Sequence, residues 1–194
     1  MGRRIYVFFG MIATGKSSLA RVWADQQGCL YLNSDIVRKE LAGVIKETRV
    51  PAALECGIYS PEFTRKTYDE LLRRSEMALA NDTGCCIVLD ASYQFVDERI
   101  RLRRIFGGRC PLLFIYCTCS DETVKKRLAL RELDQYAVSD GRWDNYLRQK
   151  QYFNMPDELP EGQLIWMNTE RSLHDLLPIL EIKLLEVGAK QNQG

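Results

Sequence analysis

Eight residues near the start of the chain have the composition and spacing of a phosphate-binding loop. Residues 10–17 read G-M-I-A-T-G-K-S and fit the pattern G-x-x-x-x-G-K-[ST]. Such glycines let backbone N–H groups converge on phosphate oxygens, and the helix that follows presents its positive end to the same anion. Lys16 can reach the β- and γ-phosphates, and the Ser17 hydroxyl can bind Mg²⁺. The predicted binding residues for a nucleoside triphosphate are Gly10, Met11, Ile12, Ala13, Thr14, Gly15, Lys16, Ser17 and Ser18.

The residues on either side supply the strand and the helix that this loop requires. Residues 4–9 form a short β-branched and aromatic run, which predicts a buried strand, and residues 17–24 have helical spacing. A glycine turn that binds nothing is the alternative interpretation. The order of strand, loop and helix favours the phosphate site.

The end of the second predicted strand carries a candidate catalytic acid. Residues 33–38 read N-S-D-I-V-R, and Asp35 would face the phosphate loop across the cleft. A carboxylate there can accept a hydroxyl proton as the hydroxyl attacks the γ-phosphate, and Arg38 can neutralise phosphate or substrate charge. The alternative is that Ser34 or Asp35 only caps the next helix. The intact phosphate loop upstream favours catalysis.

A second acid ends the third predicted strand. Residues 85–90 read C-C-I-V-L-D, an apolar run that finishes at Asp90. In phosphate-loop proteins a carboxylate at this position holds Mg²⁺ directly or through water. A solvated aspartate at a strand end is the alternative. We expect the metal role.

Two arginines four residues apart, Arg127 and Arg131, lie on one face of a predicted helix that leads into an irregular segment. One guanidinium can stack on the adenine ring while the other reaches the triphosphate, because this group suits both tasks. Arginines that only face solvent are the alternative, and Arg142 is a weaker candidate across the loop. Asn168 and Thr169, after the last predicted strand, are expected to line the adenine pocket.

Apolar runs alternate with helical patterns along the chain, and this alternation predicts a parallel sheet with helices on both faces. Small polar caps mark three helix starts, at Ser60, Ser120 and Ser172. The predicted strands cover residues 4–9, 29–33, 85–90, 112–117 and 163–168. The predicted helices cover residues 16–27, 34–42, 61–81, 95–106, 120–132, 142–153 and 172–187.

Length and composition predict one domain. A chain of 194 residues with 46% hydrophobic side chains can fill a single core. We assign residues 1–189 to this domain, with a short lid near 131–142 and a disordered tail at 190–194. The basic run 99–104 is expected to be a solvated helix face, and His174 is expected at the surface.

Charge and cysteine usage restrict the partners and the location. With 27 basic and 26 acidic residues, the net charge of +1 gives no overall indication of a nucleic-acid or membrane partner, although it leaves local basic patches open. We expect no membrane partner, and a nucleic-acid partner is not favoured. We expect no signal peptide, and no apolar run is long enough to span a bilayer. Most of the seven cysteines lie in apolar strand-like runs, so we expect reduced core thiols in a cytoplasmic protein.

Four motifs together resemble the small phosphate-loop kinases of the adenylate-kinase-like group. They are G-M-I-A-T-G-K-S, N-S-D-I-V-R-K-E-L, I-V-L-D-A-S and R-L-A-L-R, and they cover most of the chain. The resemblance is to the branch with polynucleotide 5′-hydroxyl kinases, zeta toxins, chloramphenicol phosphotransferase and many predicted kinases. A narrower resemblance, through S-D-I-V-R-K-E-L-A-G and Y-S-P-E, is to the predicted-kinase half of fusions with an aminoglycoside-phosphotransferase-like domain.

The resemblance implies a phosphate-loop fold, a three-layer α/β/α sandwich whose five-stranded parallel sheet has the order 2-3-1-4-5. It also implies that ATP and Mg²⁺ are the cofactors. By the same resemblance Asp35 is the general base, Arg38 touches substrate, Arg131 is the lid arginine and Arg127 lies near adenine.

These features predict an ATP-dependent kinase that phosphorylates a hydroxyl group of a small molecule. One alternative is a polynucleotide 5′-hydroxyl kinase, which the spacing of Asp35 and Arg38 favours and the near-neutral net charge disfavours. Another is a nucleotide-dependent regulatory switch with little turnover, which the acid at position 35 disfavours.

Overall fold

The computed structural model describes residues 2–44, 57–81, 85–133 and 142–191. Its strands are β1 (Arg4–Phe9), β2 (Leu30–Asn33), β3 (Cys86–Asp90), β4 (Leu112–Thr118) and β5 (Leu164–Asn168). Its α-helices are α1 (Lys16–Gln27), α2 (Ser34–Leu41), α3 (Pro61–Asn81), α4 (Val96–Phe106), α5 (Asp121–Leu133), α6 (Trp143–Tyr152) and α7 (Leu173–Gln191). A short 3₁₀ helix covers Gly57–Tyr59. Each predicted strand and helix is confirmed, with ends that differ by a few residues.

The five strands form one parallel sheet in the order β2-β3-β1-β4-β5, which confirms the predicted topology. In such a sheet all carboxyl ends meet at one edge, where ligands bind in open α/β folds. The register pairs Asn33 of β2 with Asp90 of β3, and Thr118 of β4 with Asn168 of β5. These four polar residues therefore lie along the same edge.

The sheet is the middle layer of a three-layer α/β/α sandwich. On one face Ile5, Val7 and Phe9 pack with buried side chains of α3 and α4. On the other face Tyr6 and Phe8 pack with α1 and α7. This alternation along β1 follows from the two-residue period of a strand. Helices α5 and α6 pack with the phosphate loop in a third, smaller cluster.

The helix caps agree with the prediction at three starts and differ at one. Ser60, Ser120 and Ser172 each accept a backbone N–H from the third residue after them. Helix α2 is instead capped by Asn33, whose Oδ1 accepts the N–H groups of Asp35 and Ile36 at 3.0 Å each. The suggestion that Ser34 or Asp35 caps this helix is therefore wrong, because the cap is one residue earlier.

The expectation of reduced thiols is wrong for one pair of cysteines. Cys29 and Cys86 form a disulfide. Cys29 directly precedes β2, and the register that pairs Leu30 with Ile87 brings these two sulfurs together from neighbouring strands. Among the described residues, Cys110, Cys117 and Cys119 are free thiols. The cysteines thus no longer support the predicted cytoplasmic location.

The predicted solvated basic face of α4 is wrong for Arg99, which is fully buried. Arg99 shares the inner face of α4 with Leu102 and Phe106, at the spacing of an amphipathic helix. Its Nε donates to Glu158 Oε1 at 2.6 Å, and its Nη1 donates to the Tyr93 carbonyl at 2.8 Å. A carboxylate partner from a distant segment makes the burial of Arg99 tolerable. His174 is exposed, as predicted.

The predicted disordered tail needs correction at its start, and most of the predicted lid lies outside the described residues. Lys190 and Gln191, which the sequence assigned to a disordered tail, belong to α7. The predicted lid falls mainly on residues 134–141, outside the described residues, and residues 131–133 belong to α5. No helix in the described part of the chain is long and apolar enough to cross a membrane.

Candidate active site

The phosphate loop connects β1 to α1, and the two glycines of its motif have backbone conformations that favour glycine. Gly10 has φ 137°, and an added Cβ would collide with the backbone oxygen of Cys117. Gly15 has φ 83°, and an added Cβ would lie 3.0 Å from Arg127 Nη1 and 3.1 Å from Thr169 Oγ1. The loop therefore lies against β4 and against the segment after β5, and a side chain at either glycine would displace it.

Two residues on neighbouring elements hold the carbonyl side of the loop. Thr169 Oγ1 donates to the Thr14 carbonyl at 2.5 Å. Arg127 Nη1 donates to the Ala13 carbonyl at 3.2 Å, and its Nη2 donates to the Thr169 carbonyl at 2.5 Å. Because these carbonyls are held from outside, the N–H groups of Gly15 and of the first turn of α1 are left to face a bound anion. From the sequence, Thr169 was expected only as a contact of the adenine ring.

Asp90 is fully buried at the end of β3. Its Oδ2 accepts hydrogen bonds from Tyr31 Oη and Asn33 Nδ2, each at 2.6 Å. Its Oδ1 is also buried and has no hydrogen-bond partner among the described residues. A buried carboxylate oxygen without a donor is costly, so the site suits a cation or a cation-bound water at Oδ1. Burial and the Asp90 charge raise the pKa of the Tyr31 hydroxyl, which keeps it a donor.

Asp35 lies in the first turn of α2, partly buried. Asn33 fixes this turn through its cap hydrogen bonds and at the same time donates to Asp90. The two acids are thereby linked through one amide side chain. The motif that contains Asn33 is visible in the sequence, but the link it forms is not, since its partner Asp90 is 57 residues away.

The charged residues predicted for the site interact electrostatically with Arg131 and with Cys117. Burial lowers the pKa of the Arg131 guanidinium, while the charges of Asp35 and Asp90 oppose this shift and that of Arg127 adds to it. Burial raises the pKa of the Cys117 thiol at the end of β4, and the charges of Asp90, Lys16 and Arg127 also act on it. Coulomb interactions weaken with distance and are screened beyond about 10 Å. Arg131 thus lies within electrostatic range of Asp35, Asp90 and Arg127, and Cys117 lies within range of Asp90, Lys16 and Arg127.

Arg38 forms hydrogen bonds that the sequence did not indicate. Arg38 is buried, and its Nη1 donates to the Ile58 carbonyl at 2.6 Å and to Thr64 Oγ1 at 3.0 Å. Its guanidinium also lies 5.1 Å from the centre of the Tyr59 ring. These bonds tie α2 to the start of α3.

Asn168 lies at the end of β5, where its Oδ1 accepts the Glu170 N–H at 3.0 Å. It lines an open groove of about 580 Å³ together with Thr118, Glu170 and Arg171. Thr169, which lies between Asn168 and Glu170 in the chain, bonds the Thr14 carbonyl of the phosphate loop.

Among the described residues, no three His, Cys, Asp or Glu side chains lie together as a metal site. Mg²⁺ does not need such a set, because it commonly binds through one or two carboxylates, water and substrate phosphates. Ser17 at the start of α1 and Asp90 at the end of β3 fit this mode.

Solved structures of kinases share this fold. A gluconokinase from Sinorhizobium meliloti has a TM-score of 0.66 at 15% identity, over 97% of this chain and 95% of that one. A sugar kinase from a Janibacter species has a TM-score of 0.63 at 18% identity, over 95% of each chain. Shikimate kinase from Aquifex aeolicus has a TM-score of 0.57 at 11% identity, over 99% of this chain and 100% of that one. At these identities the likeness concerns the fold.

Curated relatives are found in mycobacteria. Uncharacterised proteins of Mycobacterium bovis and Mycobacterium tuberculosis are 29% identical to this chain over 131 residues, which is 66% of this chain and 26% of theirs. The chain thus spans about a quarter of the length of these relatives. The family model AAA_33, described as an AAA domain, matches residues 5–156, from β1 through α6. The chain therefore belongs to this AAA-domain family, on a phosphate-loop α/β/α fold that it shares with small-molecule kinases.

Proposed function

We infer that the protein is an ATP-dependent kinase that transfers the γ-phosphoryl group to a hydroxyl of a small molecule. The proposal is carried by contacts at the carboxyl edge of the sheet. Asn33 bonds both the Asp35 N–H and Asp90. Asp90 pairs in register with Phe8 just before the phosphate loop, and Arg131 lies within electrostatic range of both acids. A nucleotide-binding protein without catalysis needs the loop and the lysine. It does not need a second carboxylate such as Asp35 or a second cation such as Arg131.

Each charged residue has a role in this proposal. Asp35 accepts the proton of the acceptor hydroxyl as its oxygen attacks the γ-phosphorus and the bond to the β-phosphate breaks, which releases ADP. Lys16 and Arg131 offset the negative charge on the transferring group. Ser17 Oγ and Asp90 Oδ1 would hold Mg²⁺, which when bound neutralises charge between the β- and γ-phosphates. Arg127 and Asn168 would border the adenine.

A small-molecule acceptor is supported by the names of the proteins with the same fold, which are a gluconokinase, a sugar kinase and shikimate kinase. It is also supported by the net charge of +1, since binding along a nucleic-acid backbone usually requires a basic groove. A polynucleotide 5′-hydroxyl kinase and a regulatory switch remain the alternatives that the experiment separates.

The test measures ADP release with ATP and Mg²⁺, alone and with a panel of sugars, sugar acids, other small alcohols and 5′-hydroxyl oligonucleotides. We expect a small alcohol to stimulate release, with the phosphorylated product identified by mass spectrometry. Stimulation only by oligonucleotides would favour the polynucleotide kinase. The absence of stimulation by every acceptor, with ATP still bound, would favour the switch.

Lys16→Ala is the matched loss-of-function variant, and Lys126→Ala is its control. Lys16 has no core role, so its loss should leave the fold intact and reduce turnover about 100-fold or more. Lys126 is exposed and pairs with Glu122 on the surface of α5, so its loss should not change turnover. If Lys16→Ala keeps more than half of the wild-type turnover at saturating ATP, the loop is not the catalytic phosphate site.

A further inference from the structure

The side chain of Gln149 reaches the phosphate loop from α6. Its Oε1 accepts the Ile12 N–H at 2.7 Å, across 137 residues of sequence. Its Nε2 donates to Gln94 Oε1 at 3.2 Å. The turn inside the loop is closed by the Thr14 N–H and the Met11 carbonyl, which leaves the Ile12 N–H outside that turn. Gln149 thus supplies an acceptor that the loop does not have in its own sequence.

Helix α6 is held firmly enough to position this amide. Tyr146, one turn before Gln149, is buried against Ala13, Val124 and Leu128. Its hydroxyl donates to Asp121 Oδ1 at 2.7 Å, on the first turn of α5. The backbone of α6 one turn before Gln149 is therefore fixed against the phosphate loop and α5.

Gln149 holds the loop from a different direction than Arg127 and Thr169. Arg127 and Thr169 hold the Ala13 and Thr14 carbonyls from the side of β5. Gln94, the second partner of Gln149, belongs instead to the segment that follows Asp90. The Gln149 amide therefore ties the first half of the loop to the segment beside the candidate Mg²⁺ site.

We propose that Gln149 is a positioning residue for the terminal phosphate. It holds the Ile12 N–H and so fixes the first half of the loop, while the N–H groups of Ala13 and of Gly15 onward remain directed at the phosphates. Its own amide lies beside the γ-phosphate rather than beside the adenine. The inference rests on the proposed function only in that the bound phosphates are those of a nucleotide.

The test compares Gln149→Leu and Gln149→Glu with the wild type and with Gln151→Glu as the control. Gln151 lies on the same helix with an exposed side chain, so its change adds the same charge without the loop contact. Binding of ATP, ADP and AMP is measured by calorimetry without an acceptor, and exchange of the Ile12 amide hydrogen is followed by NMR. Gln149→Leu removes the acceptor from Ile12, whereas Gln149→Glu keeps an acceptor and adds a negative charge.

We expect Gln149→Leu to weaken ATP binding about tenfold, the loss that corresponds to one hydrogen bond, and to speed exchange at Ile12. Gln149→Glu should keep Ile12 protected while weakening ATP more than ADP and ADP more than AMP, because its charge repels the terminal phosphate. Gln151→Glu should bind ATP, ADP and AMP with the affinities of the wild type. Equal losses for the three nucleotides, or unchanged ATP affinity and unchanged Ile12 exchange in Gln149→Leu, would overturn the proposal.

Failure of the proposed function gives a different result. A wild type that binds ATP but phosphorylates no acceptor would contradict the kinase proposal and leave these binding measurements valid. A wild type that binds none of the three nucleotides would contradict both.

Discussion

Asn33 illustrates how one neutral side chain can organise two charged ones. Its oxygen caps α2 in front of Asp35, and its nitrogen donates to the buried Asp90. An aspartate at position 33 would cap the helix equally well. It would, however, place a second carboxylate against Asp90 where the amide now donates. The requirement for asparagine at this position comes from the acid on the neighbouring strand rather than from the helix.

At the residue scale, Asp35→Asn tests the assignment of the general base. Asparagine keeps the size of the side chain but cannot take up a proton at neutral pH. Since the cap is Asn33, the melting temperature should change little, while acceptor phosphorylation should fall about 100- to 10,000-fold. Basal ATP hydrolysis, measured in parallel, should persist because water can still attack. Ser34→Ala, in a residue that does not cap, is the control and should resemble the wild type. Near-normal acceptor phosphorylation by Asp35→Asn would return Asp35 to a structural role.

The two arginines of α5 should differ when each is replaced by alanine. Arg127 bonds the Ala13 and Thr169 carbonyls, so its loss should weaken ATP binding and also lower stability by about 1–3 kcal/mol. Arg131 is proposed to meet the transferring phosphoryl group, so its loss should lower kcat more than it raises the KM for ATP. Steady-state kinetics and thermal unfolding of both variants check this. Equal and small effects would indicate that neither residue contacts the nucleotide.

At the scale of elements, the disulfide joins the two strands that carry the acids. Cys29 precedes β2 and Cys86 begins β3, so the bond lies at the opposite end of these strands from Asn33 and Asp90. It encloses the chain from β2 through α3 in a loop with a sequence separation of 57 residues. A cross-link of this kind restricts the unfolded chain and does not touch the site.

Reduction of this disulfide should therefore lower stability without removing activity. A loop of this length corresponds to an upper limit of about 4 kcal/mol of stabilisation in the chain-entropy account. Thermal unfolding with and without reductant measures the change. Cys29→Ala should have the melting temperature of the reduced protein, with or without reductant. Cys110→Ala, which removes a free cysteine, is the control, and reductant should lower its melting temperature as much as it lowers that of the wild type. An unchanged melting temperature after reduction would contradict the stabilising role.

At the scale of the whole molecule, buried charged groups connect distant segments. Arg99 on α4 binds Glu158 and the Met155 carbonyl, which lie between α6 and β5. Arg99 also lies 5.6 Å from the centre of the Phe9 ring at the end of β1. Loss of either charge would leave the other unpaired in the interior, which usually costs about 3–5 kcal/mol. This contact keeps the segment after α6 against the sheet.

Glu98 makes the stability of the molecule depend on pH. It lies where α3 and α4 meet, beside Tyr68 and Tyr93, and burial raises its pKa from 4.5 to about 7. Between these pH values the folded protein holds the proton more tightly than the unfolded chain, so the free energy of unfolding should fall as the pH rises from about 4.5 to 7. The expected contribution is about 1–3 kcal/mol.

Glu98→Gln isolates this contribution. Glutamine can still accept the Phe95 N–H that Glu98 accepts at 3.2 Å, and it does not titrate. Denaturant unfolding at several pH values should give a smaller slope for this variant than for the wild type across that window. Parallel curves for the two proteins would show that Glu98 is not the group responsible.

The sequence by itself determined the strands and helices and the residues proposed for the site. Strand and helix periods, the caps at Ser60, Ser120 and Ser172, and the loop at residues 10–17 are local patterns, and a local pattern is enough because each depends on a few neighbouring residues. Asp35, Asp90 and Arg131 were predicted from their positions after strands or on a helix face. The order of the strands came from the resemblance to known kinases and matches the structure.

Only the tertiary structure decided which of these residues bind one another. The pairs Ile12 with Gln149, Arg99 with Glu158, and Cys29 with Cys86 are far apart in sequence and carry no local signal. Each forms because sheet order and helix packing bring two segments together, after which a polar group that leaves water must find a partner. That requirement gave a buried role to Arg99, a structural bond to Arg127 and a place at the phosphate loop to Gln149.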